Sequence, residues 1–144
     1  MSGLIIPQQL FDKMLMHCRA TLPNEACGIL AGPGSLPTHL YETKNVEPTP
    51  VSYLMDPIEQ FRIMKDMRDK GLRMIGIYHS HPQSPAYPSP RDILLAFYDE
   101  AAYIIVSLID REDPDIRAFR IVESFVSELT ITSNTRLPGN WGVL

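Results

Sequence analysis

Two cysteines, Cys18 and Cys27, in 144 residues are too few for a disulfide framework. Sequence alone leaves their pairing open, and a reducing compartment favours two buried thiols that behave as small hydrophobes. No apolar stretch approaches the roughly 20 residues that a membrane-spanning helix needs. The apolar residues 4–6 are too few, and lack the preceding basic residues, for a secretion signal. A basic field is missing too. Thirteen Lys and Arg stand against seventeen Asp and Glu, a net charge of −4, so nothing draws nucleic acid or an anionic membrane to this surface. Repeats, low-complexity tracts and interdomain linkers are also absent. What these absences leave is a cytoplasmic protein with one domain, residues 1–133, and a tail over 134–144 in which Trp141 is the sizeable anchor.

Proline, by contrast, is plentiful, and its thirteen positions fall mostly between elements. Residues 4–6 read as a short edge strand. Pro7 suits a first helical position, and Leu10, Phe11, Met14, Leu15 and Cys18 recur at helical spacing until Pro23 pushes Leu22 out of the helix. Residues 26–31 form a buried apolar run before the turn Gly32-Pro33-Gly34, with a partner strand over 38–43 and a strand fragment over 53–55. Asp56 caps a helix that starts at Pro57, carries Ile58, Phe61, Met64 and Met67 on its apolar side, and ends at Gly71. Residues 73–80 are a strand running into a proline-rich loop, and Ser89-Pro90 opens a helix to about Tyr98. The continuous apolar run 103–108 marks a central strand. Residues 116–122 and 125–131 pair as a hairpin across Glu123-Ser124. The fold class is therefore α/β or α+β, with helices sandwiching one curved, mixed but mostly antiparallel sheet.

Chemistry concentrates around residues 79–92. In a strand, residues two apart share a face, so His79 and His81 project side by side as two ligands for one metal. Asp92, in the first turn after a proline-stiffened loop, is placed to be the third. Two histidines and one carboxylate leave a fourth position open to water, the pattern of catalytic rather than structural zinc. Such a water has its pKa lowered to roughly 7 and needs a carboxylate off the metal to take its proton. Glu25, at the lip of the strand 26–31, is the candidate for that general acid/base role. Ser89 is the candidate donor to the oxyanion. Each residue also has a plainer reading. Ser89 and Asp92 have the spacing of a helix capping box, Glu25 fits a solvated loop, and strand histidines are often structural. Cys27 shares the face of Glu25, though burial as a small hydrophobe is its expected role. His17 and His39 suggest no role in the site.

Taken together, Glu25 followed by Gly28, then His79-x-His81-Pro82, Ser89 and Asp92, resembles the motif of the JAMM (MPN+) zinc metallopeptidases. The resemblance runs from about residue 25 to 108. It implies one zinc per chain held by His79, His81 and Asp92, with Glu25 as acid/base and Ser89 as oxyanion donor. It also implies a sheet wrapped between helices, similar to cytidine deaminases, and cleavage after the C-terminal glycines of ubiquitin-like proteins. The chain is close to the minimal domain and resembles the compact prokaryotic members. A ubiquitin-like sulfur carrier (ThiS/MoaD-like) is then the expected protein partner. The alternatives are a zinc peptidase acting on cell-wall or phage-tail peptides, and a non-catalytic scaffold, against which the complete ligand set argues.

Overall fold

The computed structural model describes residues 3–134, so the expected tail beyond Asn134, with Trp141, lies outside the described residues. The elements follow in the order β1 (Gly3–Pro7), α1 (Gln8–Thr21), β2 (Cys27–Gly32), β3 (His39–Thr43), α2 (Pro57–Asp69), β4 (Arg73–His81), α3 (Pro90–Leu94), β5 (Ala102–Ser107), β6 (Asp115–Val122) and β7 (Phe125–Asn134). The strands form one seven-stranded sheet in the order β1-β7-β6-β5-β4-β2-β3. Only β1–β7 and β4–β5 are parallel, so the sheet is mixed and mostly antiparallel, as expected. No helix among the described residues is long and apolar enough to cross a membrane.

Strand alternation divides the core between the two sides of the sheet. Ile104 and Val106 of β5 join Leu30, Tyr78 and the α1 residues Leu10, Met14 and Cys18. Tyr103 and Ile105 join Ile29, Ile77, Phe119 and the α2 residues Ile63 and Met67. All six β5 residues are buried because the strand is covered on both faces, which is why its sequence is continuously apolar. Both cysteines are free and buried, on opposite sides of the sheet.

Three local expectations need correction. On α2, Ile58 and Phe61 are 64% and 71% exposed, while Ile63 and Met67 are buried and Met64 packs beside them. Ile58 and Met64 are six residues apart, one and two-thirds turns, so they do not share a side; the true stripe runs through Gln60, Ile63, Met64 and Met67. The helix after Ser89 stops at Leu94 instead of reaching Tyr98. It has no buried face to extend, and the Tyr98 N–H donates to the Tyr103 hydroxyl (3.0 Å) instead of continuing a helical ladder. Of residues 53–55 only Met55 makes a strand contact, a bridge to Asn45, because the Leu54 N–H is taken by the Asn45 side chain.

Gly28 is where the backbone most needs a missing side chain. A Cβ there would run into the ring and hydroxyl of Tyr78. That ring is fully buried and tethered by a 2.6 Å hydrogen bond between its hydroxyl and His17 Nδ1, so it has nowhere to retreat. Gly28→Ala should therefore destabilise the protein by about 1–3 kcal/mol, read as a lower urea midpoint at unchanged slope. An unchanged midpoint would mean that the Tyr78 ring swings aside freely.

Candidate metal centre

β4 lies between β2 and β5, and its C-terminal end carries the histidines. Backbone pairing on both sides fixes His79, opposite Cys27 on β2 and Ile105 on β5. Both imidazoles leave the strand on one face, as alternation predicts, with ring centroids 4.9 Å apart. Asp92 is delivered by α3. Its N–H donates to Ser89 Oγ (3.0 Å), and the Ser89 N–H donates back to Asp92 Oδ2 (2.9 Å). The capping box is therefore real, and it aims Asp92 at the histidines rather than competing with that role. Ser89 Oγ accepts in this cap, which leaves its proton free to donate elsewhere.

His79 Nε2, His81 Nε2 and Asp92 Oδ2 form a triangle with all three edges 3.1 Å. A tetrahedral ion with nitrogen and oxygen bonds of about 2.0–2.1 Å separates its ligand atoms by about 3.3–3.4 Å, so the triangle fits one metal with almost no movement. The cluster is the one group of three or more metal-ligating side chains found among the described residues. His81 Nδ1 lies 2.8 Å from the Pro85 carbonyl oxygen, to which it donates, and this holds the lone pair of Nε2 toward the centre. His79 Nδ1 has no hydrogen-bond partner among the described residues; instead Tyr53 stacks on the ring, centroids 4.7 Å apart.

The charge states of His79 and Asp92 suit the same purpose. Burial lowers the pKa of His79 and keeps it neutral. In His81 burial works the same way but is outweighed by its bonds to Asp92 and the Pro85 carbonyl, and its pKa rises. Burial would raise the Asp92 carboxyl, yet hydrogen bonds from both histidines and the Ser89 N–H hold it well below the usual carboxylate range.

Glu25 does not sit in a solvated loop. It is 3% exposed. The Ala26 N–H donates to Ser80 Oγ (2.8 Å) and the Ser80 N–H to the Ala26 carbonyl (3.1 Å), which extends the β2–β4 register and sets Glu25 opposite His81. Its Oε1 has no hydrogen-bond partner among the described residues, and burial pushes its pKa up to about 8 against the pull of His81. A buried carboxyl without a partner costs free energy that ordinary packing would not retain, so its surroundings fit a group that exchanges protons. Cys27 is buried on this side of the sheet, with its Sγ accepting from Thr43 Oγ1 (3.1 Å). Beside the centre lies a cavity of about 170 Å³ lined by Tyr53, Leu54, Ile77, Asp92, Phe97 and Tyr103 among others.

All five residues named from the sequence thus converge at one end of the sheet. Sequence reading missed Tyr53, Asn45 and the Pro85 carbonyl, since no spacing rule links the segment 45–55 to the histidines.

The model of the prokaryotic homologues of the JAB domain matches residues 7–122. The chain belongs to this family. Among its relatives is the CysO-cysteine peptidase of Mycobacterium tuberculosis, 38% identical over 127 residues and 87% of each chain. A probable TtuB-protein conjugate cleaving protease of Thermus thermophilus is 35% identical over 121 residues, covering 83% of this chain and 77% of that one. In three dimensions the JAB chain is similar to a solved protein from Desulfitobacterium hafniense, with TM-score 0.84, 37% identity, and coverage of 94% and 96% of the two chains. The expected resemblance and the helix-flanked mixed sheet both stand.

Proposed function

We propose that this JAB-family chain is a zinc-dependent peptidase or isopeptidase. It hydrolyses the bond after the C-terminal Gly-Gly of a ubiquitin-like sulfur-carrier protein joined to an amine. The observation that carries the reading is the triangle of His79, His81 and Asp92 ligand atoms beside the buried Glu25, whose Oε1 has no hydrogen-bond partner among the described residues. Two nitrogen ligands and one carboxylate with a free fourth position favour zinc in a catalytic rather than a structural role. The relatives named for cleaving CysO-cysteine and TtuB conjugates support the substrate class.

When bound, zinc supplies a Lewis acid and lowers the pKa of a water to roughly 7. The chain's own residues do the rest. Glu25 takes a proton from the attacking water and hands it to the leaving nitrogen as the C–N bond breaks, so the products are a carboxylate and a free amine. Ser89 O–H donates to the carbonyl oxygen as it gathers negative charge. Asp92 stays ionised and oriented by its cap. The cavity lined by Tyr53, Leu54 and Phe97 offers an apolar wall beside Asp92 for the substrate tail.

A fusion of a sulfur carrier to a reporter through Gly-Gly, compared with Val-Val, tests the substrate class under saturating zinc. The bulky junction should be cut roughly 100-fold more slowly, because branched side chains displace the scissile carbonyl from the catalytic groups. Equal rates would point to general peptide hydrolysis, and no cleavage of either to a scaffold.

A further inference from the structure

Asn45 is buried between β3 and α2, and its side-chain amide uses its full bonding capacity. Nδ2 donates to the carbonyl oxygens of Glu25 (3.0 Å) and Ser52 (3.2 Å). Oδ1 accepts from the N–H groups of Glu47 (2.9 Å) and Leu54 (2.9 Å). Three of these partners lie in the loop 46–55, and the fourth is Glu25, the proposed acid/base. The loop answers from the other side, since the Glu25 N–H donates to the Thr49 carbonyl oxygen (2.9 Å). Tyr53 stands between Ser52 and Leu54, both bonded to Asn45, and its ring lies on His79 at an interplanar angle of 29°.

A metal-ligating histidine ordinarily has its outer nitrogen hydrogen-bonded, which fixes the ring. His81 has this through Pro85; among the described residues His79 has no such partner. Apart from the contact of its Nε2 with Asp92, the orientation of His79 rests on packing, and Tyr53 supplies a face of it. A purely loop-stapling role for Asn45 accounts for its bonds to residues 47, 52 and 54. It does not account for the bond that crosses to Glu25.

We propose that Asn45 is a positioning residue of the centre: one amide fixes the backbone of Glu25 and the loop that lays Tyr53 on His79, locking base and ligand into a constant relation. Its effect on turnover rests on the peptidase reading; the clamp itself rests on hydrogen bonds alone.

The test uses the full chain with Asn45→Asp and Tyr53→Leu. Asn45→Asp keeps size and both acceptor bonds but cannot donate to the Glu25 and Ser52 carbonyls. In metal-free protein the Glu25 amide should exchange its hydrogen about 10-fold faster, with β5 amides unchanged. With zinc saturating and the Gly-Gly fusion as substrate, kcat should fall about 100-fold with KM within about twofold, as expected when geometry rather than substrate binding is lost. Tyr53→Leu should leave Glu25 exchange untouched, weaken cobalt(II) binding about 10-fold and shift the visible absorption of bound cobalt. Wild-type Glu25 exchange and kcat in Asn45→Asp would overturn the proposal. So would acceleration spread equally over β5, which would mean general destabilisation. If the wild type neither binds cobalt nor cleaves, the peptidase reading fails, and the exchange measurement still decides whether the clamp exists.

Discussion

Glu25→Gln should keep the fold and the metal yet lower turnover by roughly 10²–10⁴-fold. The substitution preserves the shape of the side chain and removes only the capacity to carry a proton. Asp92 cannot replace it, because its hydrogen bonds hold it well below the usual carboxylate range and leave it a poor base. The same change should make the metal-free protein more stable at high pH. Burial raises the Glu25 carboxyl from its ordinary 4.5 to about 8. Between those values the folded chain keeps a proton that the unfolded chain has released, so wild-type stability is undiminished below about pH 4.5 and falls as pH rises toward 8. Glu25→Gln lacks this loss and should exceed wild type by roughly 2–4 kcal/mol above pH 8. Urea titrations at pH 5 and 8.5, paired with turnover and metal content, check both halves. A mutant with near-normal turnover would mean that another group is the base.

How legible each part was depended on the range of the interaction that fixes it. The shared face of His79 and His81 needed only the two-residue period of a strand, and the Ser89–Asp92 capping box only a three-residue spacing; both features are local, and the structure has both. The β6–β7 hairpin was equally local, with Glu123 and Ser124 adopting the positive φ values, 50° and 68°, that a two-residue turn requires. Glu25 was different. Its burial follows from the β2–β4 pairing across more than fifty residues, so position alone suggested a solvated loop, and only the whole motif pointed to the site. Asn45 and Tyr53 were not legible at all, because the loop 46–55 takes its shape from the side-chain hydrogen bonds of Asn45 and Thr49 rather than from a backbone repeat. The apolar side of α2 was misread through Ile58 and Phe61, which stay exposed on a helix whose covered stripe lies elsewhere.

Substitution of the proposed ligands should give the other large effect, and the capping box makes its interpretation exact only if two variants are compared. Purified protein should carry about one zinc per chain, and His79→Ala should retain almost none. Asp92→Ala removes a ligand but also half of the capping box, which alone costs about 1 kcal/mol, so loss of metal there has two possible origins. Asp92→Asn separates them. Its amide oxygen still accepts from the Ser89 N–H and its backbone still meets Ser89 Oγ, so α3 keeps its start, while the charge that complements a divalent ion is gone. Asp92→Asn should therefore fold normally and lose affinity well beyond the roughly 10–100-fold of a lost outer hydrogen bond. Ser89→Ala is the converse: it breaks the cap and spares the ligands, so metal should remain. The stability readout follows by linkage, since a ligand bound only by the folded state raises Tm with its concentration. Adding zinc should raise the Tm of wild type and Ser89→Ala but not of His79→Ala or Asp92→Asn. Full zinc occupancy in both of those mutants would remove His79 and Asp92 from the ligand set.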